Sequence, residues 1–186
     1  MNICLIGLRG CGKSNVSRRL ASATKRAIIS TDALIQYDND GITIGELVEN
    51  EGWAAFRERE FEVVRKAARM RDAIIDCGGG VIVDLAADGS EIFSERKVAQ
   101  LRSTGIVVWL DGDVQRLTEK TAAPTVDRPT LSDITSIAEL MHARLPFYEK
   151  AATLRINIES KTRKEIAFEI CQNIDELKPY AGEFIV

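Results

Sequence analysis

The chain has 186 residues and a mass of 20.6 kDa, which is the size of one domain with at most a small insertion. Hydrophobic residues make up 45% of it and charged residues 28%, a composition typical of folded globular proteins and not of disordered chains. The 25 lysines and arginines against 28 aspartates and glutamates give a net charge of −3. There is therefore no basic excess to drive general binding to nucleic acid or to an acidic membrane.

The cysteines and the histidine exclude several kinds of site. Cys4, Cys11, Cys77 and Cys171 form no C-x-x-C pair, and His142 is the only histidine, so a histidine-rich metal site is excluded. Widely spaced cysteines in apolar or glycine-rich surroundings indicate reduced thiols and a cytoplasmic protein. The first residues lack the basic segment of a signal peptide, and no run approaches the ~20 apolar residues of a membrane span.

Short apolar runs alternate with longer segments of helical periodicity. The runs are residues 3–6, 27–29, 73–75, 106–110 and 154–158, and the helical segments are 13–24, 53–70, 91–102, 133–151 and 161–177. Near-continuous apolar runs are typical of strands buried on both faces. Their alternation with helices predicts an α/β fold with a parallel sheet between two helical layers. We expect one domain over residues 1–177, followed by a loosely packed tail over 178–186.

A glycine-rich loop follows the first apolar run. Residues 7–14 read GLRGCGKS and fit the pattern G-x-x-x-x-G-K-[ST] between a predicted strand and a predicted helix. Glycines permit backbone conformations in which successive N–H groups point at phosphate oxygens, and the helix that follows adds its free N-terminal N–H groups. The pattern predicts that Lys13 reaches the β- and γ-phosphates of a nucleotide and that the Ser14 hydroxyl binds Mg²⁺. The predicted ATP-binding residues of the loop are Gly10, Cys11, Gly12, Lys13, Ser14 and Asn15.

The size of the chain and its remaining motifs narrow the class of nucleotide-binding protein. A chain of 186 residues has no room for the large insertions of motor or transporter ATPases. It also contains no N-K-x-D sequence of the kind that reads guanine, which disfavours a GTPase. A kinase for a small molecule is the leading class.

Five further segments resemble one family of small-molecule kinases. They are STD at 30–32, GWAAFRERE at 52–60, DCGGG at 76–80, DRPTL at 127–131 and RLPFY at 144–148. Together with the phosphate loop, and in this order, they are similar to shikimate kinases over residues 2–177. The loop alone occurs in many folds, whereas the ordered set is far more specific.

The resemblance implies a three-layer P-loop NTPase fold with a five-stranded parallel sheet in the order 2-3-1-4-5 and a short lid. It also implies that ATP phosphorylates the 3-hydroxyl of shikimate, with an acceptor-binding segment near residues 32–60 and a lid near 113–131. The implied acceptor-binding residues are Asp32, Arg57, Gly78, Gly79, Gly80 and Arg144. Arg128 corresponds to the lid arginine, and the implied catalytic residues are Lys13, Asp32 and Arg128.

The chemistry of these side chains agrees with such an acceptor. Arg57 and Arg144 offer planar forks for the carboxylate of shikimate, and Asp32 can orient or deprotonate the attacking hydroxyl. The three glycines would let backbone N–H groups approach the ring. Glu60 lies one turn from Arg57 on the predicted helix and is expected to fix its fork. Arg116 is the candidate for stacking on the adenine base.

Two positions depart from the family pattern. The family has D-x-D after the second strand, whereas this chain has Ser30 in place of the first aspartate. Position 76 is usually serine or threonine in the family, and here it is Asp76. We infer that the carboxylate has moved from the second strand to the third, so that Ser14 and Asp76 serve the Mg²⁺ ion. The alternative is that Ser30 marks a weakened or altered activity.

Two other functions remain open at this stage. A related kinase for another polyol acid, such as gluconate, would share the phosphate loop. A non-catalytic nucleotide-binding protein would share the fold, although the retained residues Lys13, Asp32, Arg57, Arg128 and Arg144 argue against it. The expected partner is a small molecule, with no nucleic acid and no membrane, and the expected oligomeric state is a monomer.

Overall fold

A computed structural model describes residues 1–121 and 137–184 of the chain. Five parallel strands form its central sheet in the order β2-β3-β1-β6-β7. If only the five strands of this sheet are numbered in chain order, their order across the sheet is 2-3-1-4-5, as the resemblance implied. The strands are β1 (Asn2–Ile6), β2 (Ala27–Ser30), β3 (Ala73–Asp76), β6 (Gly105–Asp111) and β7 (Leu154–Asn157).

Seven α-helices accompany these strands within the described ranges. They are α1 (Lys13–Thr24), α2 (Thr31–Asp38), α3 (Ile44–Ala68), α4 (Glu95–Thr104), α5 (Val114–Thr121), α6 (Ile137–Ala151) and α7 (Arg163–Asn173). The sequence did not predict α2 or the first part of α3. Thr43 begins α3 with a capping box to Glu46, and Gly52, at φ 81°, breaks the helix where the predicted segment 53–70 starts.

The central strands β1 and β3 are buried along their whole length, because helices cover both faces of the sheet. The edge strand β2 departs from this expectation, since Ile28 is 41% exposed. An edge strand has a neighbour on one side only, which explains its greater exposure. The main core packs the sheet against α1, α4, α6 and α7.

A β-hairpin is present where the sequence suggested the start of a helix. Its strands β4 (Val83–Leu85) and β5 (Glu91–Phe93) pair antiparallel, apart from the main sheet. The predicted helix 91–102 was therefore placed too early, because α4 begins after Ser94, whose hydroxyl accepts from the Lys97 N–H. Residues 81–93 form an insertion between β3 and α4 that the sequence analysis did not recognise.

The C-terminal residues are more ordered than expected. Asp175–Phe184 form a 3₁₀ helix in which Leu177 is fully buried, and Tyr180, Ala181 and Phe184 pack against the main core. The expectation of a loosely packed tail from residue 178 is therefore wrong for residues 178–184. Among residues 1–121 and 137–184, no helix combines the length and the apolar character that crossing a membrane requires.

Candidate active site

The phosphate loop joins β1 to α1, and its three glycines, Gly7, Gly10 and Gly12, all have positive φ. Gly10 has φ 81° and Gly12, the N-cap of α1, has φ 98°. A Cβ atom at Gly12 would lie 2.5 Å from Nε of Arg163, whose flexible side chain could move away, so the left-handed conformation is the stronger reason for glycine there. The Lys13 ammonium donates to the carbonyl oxygens of Gly7, at 2.8 Å, and Leu8, at 3.2 Å. Lys13 therefore spans the loop and faces its interior.

A polar cavity of about 300 Å³, the phosphate-loop cavity, lies beside this loop. Two carboxylates line it: Asp32, in the first turn of α2 just after β2, and Asp76, the last residue of β3. Ser30 and Asp76 are direct partners in the β2–β3 register, so the two positions that depart from the family pattern are side by side. The remaining lining residues include the predicted Gly10, Gly12, Lys13, Ser14 and Asn15, whereas Cys11 is completely buried.

The donor set of this cavity is suitable for Mg²⁺. Carboxylate and hydroxyl oxygens are the ligands this ion prefers, and Asp76, Asp32 and Ser14 supply them. No group of three or more acidic, cysteine or histidine side chains able to hold a metal occurs in residues 1–121 or 137–184. The ion would therefore be held by one or two protein groups together with water and nucleotide oxygens, which is the usual arrangement for Mg²⁺ in kinases.

A second cavity of about 140 Å³ adjoins the first. The two share Arg9, Asp32, Gly78 and Gly79 as lining residues. Its other walls carry the two predicted arginines of the acceptor site and several apolar side chains, namely Arg57, Arg144, Ile44, Trp53, Phe56, Ile137, Leu140 and Met141. The structure thus brings together the predicted acceptor-binding residues, and Asp32 lies at the boundary between the two cavities.

The glycines at 78 and 80 make room for side chains of this site. A Cβ atom at Gly78 would lie 2.3 Å from an Asp32 carboxylate oxygen, and one at Gly80 would lie 2.7 Å from Arg57 Nη1. The Gly78 N–H was expected to approach the acceptor ring, but it donates to Thr31 Oγ1 at 2.8 Å. Gly78 therefore fixes the start of α2 and the position of Asp32, which corrects the expected role of its N–H group.

Arg57 lies on α3 in a buried network of charges. It is 3% exposed, and its Nη1 donates to Glu60 at 2.9 Å and to the Gly80 carbonyl at 3.2 Å. The predicted pairing of Arg57 with Glu60 is thus confirmed. Lys97, which no sequence motif indicated, is fully buried on α4 and donates to the same Glu60 oxygen at 2.7 Å. Burial alone would raise the pKa of Glu60, but Arg57 and Lys97 outweigh it and hold the pKa below its usual value.

Arg57 also retains an unused donor. Its Nε is buried and has no hydrogen-bond partner within the part of the chain that the structure describes. A buried N–H without an acceptor is costly unless a ligand supplies one. Because Arg57 lines the second cavity, an anionic group bound there is a suitable acceptor.

Arg144 lies on α6 and binds a carboxylate that the sequence analysis missed. Its Nε donates to Glu91 of β5 at 2.7 Å, and its Nη2 donates to the second oxygen of the same carboxylate. Glu91 also lies 3.5 Å from Arg57 Nη2. One hairpin side chain therefore contacts both arginines. Four residues beyond Arg144, Tyr148 is buried, stacks on Trp109 and donates its hydroxyl to the Gly79 carbonyl.

Of the cations near the phosphate loop, the predicted adenine contact Arg116 lies further from the loop than Lys120 and Arg163 do. Arg116 on α5 forms a two-bond ion pair with Glu159, at 2.9 and 2.7 Å, and does not line the phosphate-loop cavity. Two other cations lie closer to the loop: Lys120 donates to the Gly10 carbonyl at 2.9 Å, and the Arg163 guanidinium packs against Gly12. The predicted lid residue Arg128 lies outside the described residues.

Comparisons with known proteins agree with this geometry. A model of the shikimate kinase family matches residues 9–175. A shikimate kinase of Leptospira biflexa is 42% identical over 170 residues, covering 91% of this chain and 93% of the relative, and one of Leptospira borgpetersenii is 38% identical over 177 residues, covering 94% and 98%. The solved structure of Acinetobacter baumannii shikimate kinase in complex with shikimate superposes with a TM-score of 0.81 at 28% identity, covering 95% of this chain and 94% of that one.

Proposed function

Because the chain belongs to the shikimate kinase family, we propose that it uses ATP to phosphorylate the 3-hydroxyl of shikimate, giving shikimate 3-phosphate for aromatic amino-acid biosynthesis. One observation carries the proposal: a phosphate-loop cavity and a cavity lined by two arginines meet at Asp32. A kinase needs this arrangement, since its donor and acceptor must be held in line with an acidic group at the attacking hydroxyl.

On the acceptor side, two arginines and an aspartate have distinct tasks. Arg57 and Arg144 bind the shikimate carboxylate, and the Nε–H of Arg57, which has no acceptor among the described residues, supports this role. Asp32 accepts a hydrogen bond from the attacking hydroxyl and takes up its proton as the phosphoryl group transfers. Trp53 and Phe56 cover the apolar side of the ring and exclude water.

On the nucleotide side, the loop N–H groups and the N-terminus of α1 bind the phosphates. Lys13 exchanges the carbonyl oxygens of Gly7 and Leu8 for the β- and γ-phosphate oxygens, where its charge stabilises the transition state. Ser14 and Asp76 would hold a Mg²⁺ ion, which would neutralise phosphate charge when bound. Arg128 is proposed to add a further positive charge from the lid, and Arg116 to stack on the adenine.

The remaining proposals concern the setting of the enzyme. Four buried free cysteines favour a reducing compartment, and we place the protein in the cytoplasm. We also propose that it works as a monomer on a small-molecule substrate, without nucleic acid or membrane partners.

The test is a coupled assay for ADP release with shikimate, with gluconate and without an acceptor. We expect turnover with shikimate at least about a hundredfold above that with gluconate, since only a carboxylic acid of the right shape meets both arginines and Asp32. Preference for gluconate would favour the related sugar-acid kinase, and no acceptor-dependent turnover would favour a non-catalytic nucleotide-binding protein.

Lys13→Ala should lower turnover about a hundredfold or more. Lys66→Ala, at an exposed lysine paired with Asp38, is the matched control and should leave turnover unchanged.

A further inference from the structure

We infer that Glu91 is a positioning residue of the acceptor site, which holds Arg144 and Arg57 in the orientation that binds the acceptor carboxylate. This inference rests on the proposed function. Glu91 comes from the β4–β5 hairpin and contacts both arginines, at 2.7 Å to Nε of Arg144 and 3.5 Å to Nη2 of Arg57. No other carboxylate among the described residues forms an ion pair with both arginines.

The position of Glu91 supports orientation rather than competition with the acceptor. Both arginines line the second cavity described above, the acceptor cavity, whereas Glu91 does not. Glu91 takes the Nε–Nη2 edge of Arg144, and this leaves the Nη1 side of that guanidinium for an oxyanion in the cavity. A bidentate contact on one edge fixes the plane of the guanidinium, so the other edge is presented in a constant direction.

The hairpin is anchored so that Glu91 stays in register with α6. Glu91 and Phe93 lie two residues apart on β5 and therefore face the same side, and Arg144 and Phe147 lie three residues apart on one face of α6. The rings of Phe93 and Phe147 pack 6.0 Å apart, next to the ion pair of Glu91 with Arg144. On β4, Asp84 forms ion pairs with Lys97, at 3.2 Å, and with Arg96, at 2.9 Å.

The charges also require a carboxylate at this place. Arg57 shares Glu60 with Lys97, and Asp84, the second partner of Lys97, also pairs with Arg96, so neither carboxylate is left over for Arg144. Arg144 has a side chain only 14% exposed, and it would be a third cation of the same region with little access to water. Glu91 balances this charge, because a partly buried guanidinium without a counter-ion is strongly disfavoured.

The test compares Glu91→Gln and Glu91→Asp with the parent enzyme in the coupled assay. Glu91→Gln removes the charge and replaces one oxygen by an NH₂ group that cannot accept from arginine. We expect its KM for shikimate to rise about tenfold, equivalent to about 1.4 kcal/mol, while kcat and the KM for ATP stay within about twofold. Glu91→Asp keeps the charge on a shorter side chain and should recover part of the loss.

The control is Glu95→Gln. Glu95 lies four residues after Glu91, and its exposed side chain pairs with Lys150, so the variant removes the same charge outside the site. It should leave all three constants unchanged. An unchanged KM for shikimate in Glu91→Gln would overturn the inference, and a lowered KM would show that Glu91 competes with the acceptor for the arginines. If the parent enzyme turns over no shikimate, the proposed function fails, and the assigned role of Glu91 fails with it.

Discussion

Ser30 stands where the family pattern has an aspartate, and Asp76 stands where the pattern has serine or threonine. Both line the phosphate-loop cavity, and they are direct partners across β2 and β3. Ser30 also caps α2, since its hydroxyl accepts from the Ala33 N–H at 3.3 Å. Aspartate is an equally good N-cap, so exchange of the two side chains is compatible with the local structure.

The parent and three variants together test whether Asp76 has taken over the Mg²⁺ role. Asp76→Ser should raise the Mg²⁺ concentration needed for half-maximal turnover, and Ser30→Asp added to it should restore activity by rebuilding the family arrangement. Ser30→Asp alone should be less active than the double variant, because two adjacent carboxylates raise the pKa of one of them. The expected coupling is at least ~1 kcal/mol. Strictly additive effects would show that the two positions act independently and that Ser30 marks a real loss.

At the residue scale, the sequence identified the groups that belong to ordered motifs and missed those that act from elsewhere in the chain. Glu60 was predicted as the partner of Arg57 because three residues along a helix place two side chains on one face. Lys97 lies 37 residues from Glu60, and Arg144 lies 53 residues from Glu91. Such pairs depend on the packing of α4 and the hairpin, which helical spacing does not encode.

At the scale of elements, α3, α4 and the hairpin are joined by buried charges rather than by apolar contacts alone. Lys97 on α4 is fully buried and contacts Glu60 of α3 as well as Asp84 and the Val83 carbonyl of β4. Removing one partner from such a network leaves an uncompensated buried charge, which costs about 3–5 kcal/mol. We therefore expect Lys97 to stabilise the folded protein, although it lines neither cavity.

Lys97→Met should lower the free energy of unfolding by about 3 kcal/mol near neutral pH, as measured by urea denaturation. In the parent protein the pKa of Glu60 is lowered, so its contribution is fully present above its unfolded-state pKa and is lost as pH falls through the folded-state pKa. Removing Lys97 takes away one of the two cations that lower the pKa of Glu60, so that pKa rises towards the value that burial favours, and protonation then relieves part of the penalty. The difference between parent and variant should thus shrink from about pH 7 to about pH 4.

The matched control for this network is the double variant Lys97→Met with Glu60→Gln, which removes both charges. It should be more stable than Lys97→Met near neutral pH, because no buried carboxylate is left short of a partner. A stability difference that does not change with pH would mean that Lys97 contributes only the packing of its aliphatic chain.

The hairpin shows why element boundaries were less predictable than element types. The apolar runs and helical periods located all five strands of the main sheet, because buried parallel strands have a strong sequence pattern. The segment before α4 contains an Asp88-Gly89 turn, with Gly89 at φ 82°, followed by only three residues of strand. Three residues are too few for an alternating pattern to be distinguished from the first turn of a helix.

At the scale of the whole molecule, the 3₁₀ helix closes the end of the sheet opposite to the site. Glu176 accepts from the N-terminal amine of Met1 at 3.2 Å and pairs with Arg26, so residues from both ends of the chain meet there. Proline and glycine in this segment suggested a loose tail, since both disfavour an α-helix. The segment forms a 3₁₀ helix and not an α-helix, and Tyr180 and Phe184 are partly buried against the main core, which holds it in place.

Phe184→Ala should therefore destabilise the protein while leaving the active site unaffected. The Phe184 ring packs against the main core and is partly buried, so its removal should cost about 1–2 kcal/mol. For a chain of this size that corresponds to a fall in Tm of about 2–8 °C in a thermal melt. Glu183→Ala, at the exposed neighbouring position, is the control and should leave Tm unchanged.

Neither residue lines the phosphate-loop or acceptor cavity, so both variants should keep the parent KM for shikimate. Equal Tm values for the two variants would show that the segment does not contribute to the core, whereas a raised KM in Phe184→Ala would show that its packing reaches the acceptor site.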